Sequence, residues 1–198
     1  ANSLEEFNTP DDYWGSKPKI AVIYAIGGTS MDDGIKARNL VKYVEAAMNS
    51  GNVKAIVLRV DSPGGDALAS DLIAEVLRKG KGKKPIIVSQ GYVAASGGYW
   101  LSMFADTIVA APNTITGSVG VIGSFMFNKS LKQDLGLSVD HVQKGKFADL
   151  GFGATLPLIG ISLPDRDFTE EELKMVETGI KTLYKGFVEK VALGRKKS

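Results

Sequence analysis

Residues 53–66 read VKAIVLRVDSPGGD and residues 91–100 read GYVAASGGYW, and these two stretches together decide the fold. The first is an apolar run, residues 53–60, that ends in a turn of aspartate, proline and paired glycine. A short continuous apolar run of this kind suits a buried strand. Pro63 fixes one dihedral, and Gly64 and Gly65 expose backbone N–H groups at the strand edge. In the second stretch small residues surround one hydroxyl, Ser96, at the entry to a helical pattern carrying Tyr99, Trp100 and Met103.

The same alternation extends in both directions. Residues 19–26 (KIAVIYAI) are predicted to be a buried strand, residues 27–34 a loop, and residues 35–48 a helix through Ile35, Leu40, Val41, Val44 and Met48. Residues 67–79 follow as a second helix, and PIIVS (85–89) and TIVA (107–110) as further strands. A glycine-punctuated loop covers 113–123, a helix 127–134, a strand 137–142 and an irregular Gly/Pro-rich stretch 149–164. The last element is a long helix over 169–193, with Thr169 as N-cap and Glu172 three residues on. Strands alternating with helices imply an α/β fold: a mostly parallel sheet, flanking helices and a long C-terminal helix. Functional loops of such sheets follow the strand C-termini, so the Asp61 and Ser96 turns belong on one edge. Residues 1–18 are polar with two prolines and are expected to be a flexible lead-in to one domain over 19–198.

Composition narrows the chemistry. The net charge of +2 offers no basic field for nucleic acid. No apolar run is long enough to cross a bilayer. With no cysteine, thiol catalysis, disulfides and thiolate metal sites are excluded. His141 is the only histidine, so a multi-histidine zinc site is excluded and a Ser-His-Asp triad has one candidate base.

Ser96 at a helix entry gains from backbone dipoles that favour developing negative charge, and Gly97 admits substrate close to its N–H. A packing turn in which Ser96 merely caps is the simpler reading of that stretch alone. An ordinary strand-to-helix turn is likewise the simpler reading of DSPGGD alone. Together they are far more specific. SPGG followed about thirty residues later by AASGG resembles the Clp protease and protease IV fold family, the ClpP/crotonase fold. KAIVLRVDSPGG, VAASGGYW and NTITGSVGVIG resemble segments of the signal peptide peptidase A (protease IV) family, from Lys19 to about Ala148. The resemblance implies Ser96 as nucleophile, the N–H groups of Gly65 and Gly97 as oxyanion hole, and Ser118 as the serine that orients the dyad lysine. It also implies a hydrophobic peptide substrate, a homo-oligomer, an association with the bacterial membrane, and no metal or organic cofactor. Val119, Val121 and Ile122 are candidates for shallow apolar substrate pockets.

The base departs from the family pattern. Single-domain members carry a lysine in a segment resembling G-x-x-K-D; here residues 145–149 read GKFAD, and the lysine position holds Ala148, fifty-two residues after Ser96. Long two-domain members carry the serine in their second half and the lysine in their first. The chain resembles such a second half, which implies a lysine-bearing N-terminal domain of the same protein; a Lys-to-Ala replacement is the other reading. Lys146, which on a strand would share the face of Ala148, is a weaker substitute base, and Lys144 weaker still. His141 reads as a structural histidine at a strand end. Asp61, Asp66 and Asp149 read as turn and capping residues, Tyr99, Trp100 and Phe104 as core, and residues 79–84 as a solvated basic loop. Two other functions remain open at this level: a non-catalytic scaffold half, and a crotonase-type acyl-CoA enzyme. Reaction of Ser96 with a fluorophosphonate separates the first, and coenzyme A binding the second.

Overall fold

The computed structural model describes residues 17–125, 134–136, 140–156 and 161–196. Residues 1–16 of the expected lead-in over 1–18, residues 127–133 of the expected helix over 127–134 and residues 137–139 of the expected strand over 137–142 lie outside the described residues. The chain divides into two compact units, residues 1–120 with 185–198, and residues 121–184.

The first unit is built on parallel strands. β1 (Lys19–Ile26) leads through β2 (Thr29–Ser30) and β3 (Ile35–Lys36) to α1 (Ala37–Asn49). β4 (Val53–Ser62), α2 (Ala67–Gly80), β5 (Ile86–Ala95), α3 (Gly97–Trp100), β6 (Thr107–Val109) and β7 (Ile115–Gly117) follow. The sheet order is β1-β4-β5-β6, with β7 also on β5, and every pairing within it is parallel. The apolar periods place Ile23, Ile56, Leu58, Val60, Ile86 and Val88 in one core with Leu40 and Val44 of α1 and Ile73 and Leu77 of α2. β1 departs from the expected fully buried strand: Ile20, Val22, Tyr24 and Ile26 are exposed while the alternate residues are buried, because β1 is an edge strand covered on one face. Lys84 is also not simply solvated. Its ammonium donates to the carbonyls of Ala47 (2.8 Å) and Ser50 and caps the end of α1, and burial lowers its pKa.

The expected helix after Ser96 is short. α3 spans four residues and continues as turns to Phe104. Its aromatics are core, as their spacing predicts: Trp100 and Phe104 are buried, and Trp100 stacks on Phe187 with centroids 4.2 Å apart. Trp100 donates from Nε1 to Asp71, which also pairs with Lys190. Phe187 and Lys190 belong to the last turns of α4 (Glu170–Arg195), the long C-terminal helix.

In the second unit, residues 153–156 and 161–164 are not irregular: β8 (Gly153–Leu156) and β9 (Ile161–Pro164) form an antiparallel pair. The expected capping box of α4 is present. Thr169 N donates to Glu172 Oε2 at 2.8 Å, and Glu172 N to Thr169 Oγ1 at 3.3 Å. Arg166 then forks between Glu172 and Asp149 at 2.7–3.0 Å. That cation, with the Thr169 N–H, pulls the Glu172 carboxyl to about pKa 2, and it lowers Asp149 as well. Among the described residues no helix is long and apolar enough to cross a membrane.

Candidate active site

The turn after β4 and the turn after β5 touch because glycines remove the atoms that would keep them apart. A Cβ on Gly64 would lie 2.7 Å from Gly97 N and 2.9 Å from Ser96 Cβ, and Gly64 has φ +103°. A Cβ on Gly97 would lie 2.6 Å from Ser70 Oγ, and one on Gly98 would press into the Ser62 carbonyl. The SPGG and SGG segments are thus packed backbone on backbone, and Ser96 stands beside Gly64.

Ser96 itself is strained. Its φ of 51° and ψ of −118° lie in a region that residues with a side chain rarely occupy. The surrounding bonds impose it: Ser96 N donates to Gly117 O at 2.9 Å, and Ser96 O accepts from Trp100 N at 2.9 Å. The half-buried side chain makes no cap bond to α3, so the capping role read for Ser96 alone does not hold.

Two backbone donors beside it are unused. A parallel bridge joins Thr29 to Gly65, through Thr29 N to Gly64 O (2.9 Å) and Asp66 N to Thr29 O (2.8 Å). That pattern leaves the Gly65 N–H pointing away from Thr29. The Gly64 N–H is taken by Ser62 Oγ at 3.1 Å. Among the described residues, neither Gly65 N nor Gly97 N has an acceptor. Thr29, within the expected loop over 27–34, is therefore an organiser of the site. Its Oγ1 lies 3.1 Å from Ser70 Oγ, which lies 2.8 Å from the Asp66 carbonyl. Asp66 caps α2 through Ala69 N (2.6 Å), as its turn position suggests. Nothing in a lone threonine signals such a contact; the nearest cue is Ser70, four residues after the cap on the inner face of α2.

Ser118 has φ 49°, is exposed, and follows directly on Gly117, whose carbonyl holds the Ser96 N–H. The register Ala95↔Gly117 therefore brings Ser96 and Ser118 to neighbouring positions. Val119 packs partly buried against the core, Val121 is half-buried, and Ile122 is 95% exposed.

The segment around Ala148 differs from its expectation. Residues 140–152 contain no strand; they form turns and coil, and Ala148 N approaches Gly145 O at 3.4 Å. Lys146 therefore has no shared strand face with Ala148, and its ammonium pairs with Glu171 at 2.6 Å. His141 is exposed off any strand, 3.1 Å from Gln143 Oε1, its ring 4.8 Å from that of Phe152. Asp61 binds the Tyr92 and Val93 N–H groups and Asp149 binds Arg166, so with Asp66 the three carboxylates serve separate structural roles. Among the described residues no cluster of three or more acidic or histidine side chains is arranged to hold a metal ion.

A strained serine beside two unused backbone N–H groups, at the C-terminal edge of a parallel sheet, is the arrangement of a serine hydrolase. The model of peptidase family S49 matches residues 78–198. "Serine protease SPPA, chloroplastic" of Arabidopsis thaliana is 34% identical over 189 residues, 91% of this chain and 26% of that protein. "Protease 4" of Haemophilus influenzae is 37% identical over 201 residues, 98% of this chain and 29% of that protein. Among solved structures, a ClpP1 mutant from Listeria monocytogenes has a TM-score of 0.49 and 13% identity, over 89% of this chain and 73% of that one. This chain belongs to peptidase family S49, the serine peptidases of the SppA and protease 4 type. It spans under a third of the length of the two curated relatives.

Proposed function

We propose that this chain is the nucleophile-bearing domain of a serine endopeptidase of the Ser/Lys dyad type, with the lysine supplied by another domain of the same protein. The observation that carries the reading is the strained Ser96 beside the unpaired N–H groups of Gly65 and Gly97. Ser96 Oγ attacks the scissile carbonyl carbon while its proton passes to the lysine amine. The resulting oxyanion accepts hydrogen bonds from Gly65 N and Gly97 N; one such donor contributes about 10²–10³ in rate. Collapse breaks the C–N bond, the amine leaves with the lysine's proton, and water hydrolyses the ester on Ser96. Ser118 orients the lysine. Substrates are hydrophobic peptides such as remnant signal peptides, held as an added strand with Val119, Val121 and Ile122 lining shallow pockets. The working form is a homo-oligomer associated with a bacterial membrane. Ala148 provides no proton acceptor, so the chain alone turns over little or no peptide.

Intact-mass analysis after prolonged fluorophosphonate treatment tests the nucleophile. The parent chain is expected to gain one adduct on Ser96, formed slowly, and Ser96→Ala none. Equal labelling of both would overturn the assignment.

A further inference from the structure

The geometry points to Asp61 as a positioning residue for the Ser96 nucleophile, its carboxylate holding the Gly91–Val93 bulge of β5 that carries the nucleophile turn. This rests on Ser96 being the nucleophile as proposed above.

The bulge is visible in the register. Val60 pairs with Gln90, and the next pair is Ser62 with Ala94. One residue of β4, Asp61, therefore faces three of β5: Gly91, Tyr92 and Val93. Such an insertion bends a strand and re-aims the residues beyond it. It divides β5 into two working halves. The first half, Ile87–Ser89, pairs with β6; the second, Val93–Ala95, pairs with β7 and ends at Ser96. The bulge is what allows one strand to serve two neighbours on the same side and to present Ser96 N to Gly117 O.

An inserted segment loses its ladder partners, and each lost backbone group must find another. Side chains supply four of them here. Asp61 Oδ2 accepts from Tyr92 N at 3.2 Å and Oδ1 from Val93 N at 3.1 Å. Arg59 Nη1 donates to the Gln90 carbonyl at 3.1 Å. Thr114 Oγ1 donates to the Gly91 carbonyl at 2.8 Å, from the residue just before β7. Asp61 alone meets two donors with one charged group, the strongest form of such a bond. Its fit against the bulge requires a glycine: a Cβ on Gly91 would lie 2.6 Å from Asp61 Cγ. Gly91 has an ordinary φ, so the carboxylate is the reason no side chain fits there. The aspartate of DSPGGD and the first glycine of GYVAASGG are thus one device.

The test combines amide hydrogen exchange by NMR with fluorophosphonate labelling, on the parent chain and on Asp61→Asn and Gly91→Ala. Asp61→Asn keeps the side chain's size and leaves one acceptor for two donors. The expected result is exchange about tenfold or more faster at Tyr92, Val93 and Ser96, with the amides of β1 and of residues 53–60 unchanged. Labelling of Ser96 should slow about ten- to a hundredfold, the range for losing a hydrogen bond to a charged group. Gly91→Ala displaces the carboxylate with Asp61 intact and should give the same pattern; in a background already carrying Asp61→Ala it should add little. Faster exchange at Tyr92 and Val93 with parental values at Ser96, or Gly91→Ala equally harmful with and without Asp61, overturns the proposal. If the parent chain is never labelled, the peptidase reading fails, while the exchange of the Ser96 amide still decides whether Asp61 governs that turn.

Discussion

The family resemblance assigns Ser96 and Ala148 to the two dyad positions, and the surroundings of the two residues are opposite in kind. Around Ser96, glycines are packed until no Cβ fits at Gly64, Gly97 or Gly98, and a strained φ/ψ is imposed by bonds on both sides. Around Ala148 the chain is a run of turns, Ala148 is exposed, and a Cβ on Gly151 would meet nothing within 4 Å. Asp149 in that segment is held by Arg166, and exposed Lys146 pairs with Glu171. Strain is retained where surrounding structure over-determines it. The Ser96 side carries that signature, and position 148 carries neither the strain nor an amine.

The largest effect is expected on the crowded side. Gly64→Ala forces a methyl group against Gly97 N and Ser96 Cβ at a φ of +103°. It should destabilise the fold by about 2–4 kcal/mol and abolish labelling of Ser96, as read by denaturant titration and intact mass. If Gly64→Ala leaves labelling intact, the two turns do not act as one site.

A medium effect is expected from pH on the other unit. The Arg166 fork and the Thr169 N–H hold the folded Glu172 carboxyl at about pKa 2, below its usual 4.5. A carboxyl lowered on folding contributes stability above its unfolded pKa and loses it as protons bind the folded form. Stability should therefore fall from about pH 4.5 toward pH 2, and Glu172→Gln should flatten that part of the profile in circular dichroism. An unchanged profile in Glu172→Gln would mean the fork does not anchor the start of α4.

The smallest effect is expected at Lys146. Its pair with Glu171 is exposed on both sides, and such pairs contribute about 0–1 kcal/mol. Lys146→Ala should leave both melting temperature and Ser96 labelling within error. A marked loss of labelling would make Lys146 the base and erase the contrast between the two regions.

Legibility in the sequence tracks the range of the interactions. β1, β4, α1, α2 and α4 were legible because apolar period and capping are local: the observed β1 has the bounds of the KIAVIYAI run, and Thr169 and Glu172 form the box their spacing predicts. The meeting of the two glycine turns was legible through the strand-edge rule and the family resemblance. β5 was not. Gly91 reads as a strand breaker, whereas it sits inside a strand because Asp61, thirty positions earlier, satisfies the backbone beyond it. β7 was hidden in a glycine-punctuated loop for the same reason, since its partner is the far half of β5. The β8–β9 pair lay in a stretch whose Gly and Pro content suggested no structure. Thr29 carried no signal at all, because its role exists only when Gly65 is folded against it.

The central claim is that this chain holds a competent nucleophile and oxyanion donors and lacks only a base. Ala148→Lys puts an amine at the family's lysine position, and the most direct test is hydrolysis of a fluorogenic hydrophobic peptide by that variant beside Ala148→Lys/Ser96→Ala. The account predicts turnover by the single variant about 10²-fold or more above the double, the usual contribution of a general base. Equal background rates in both, with the fold intact by circular dichroism, would contradict it.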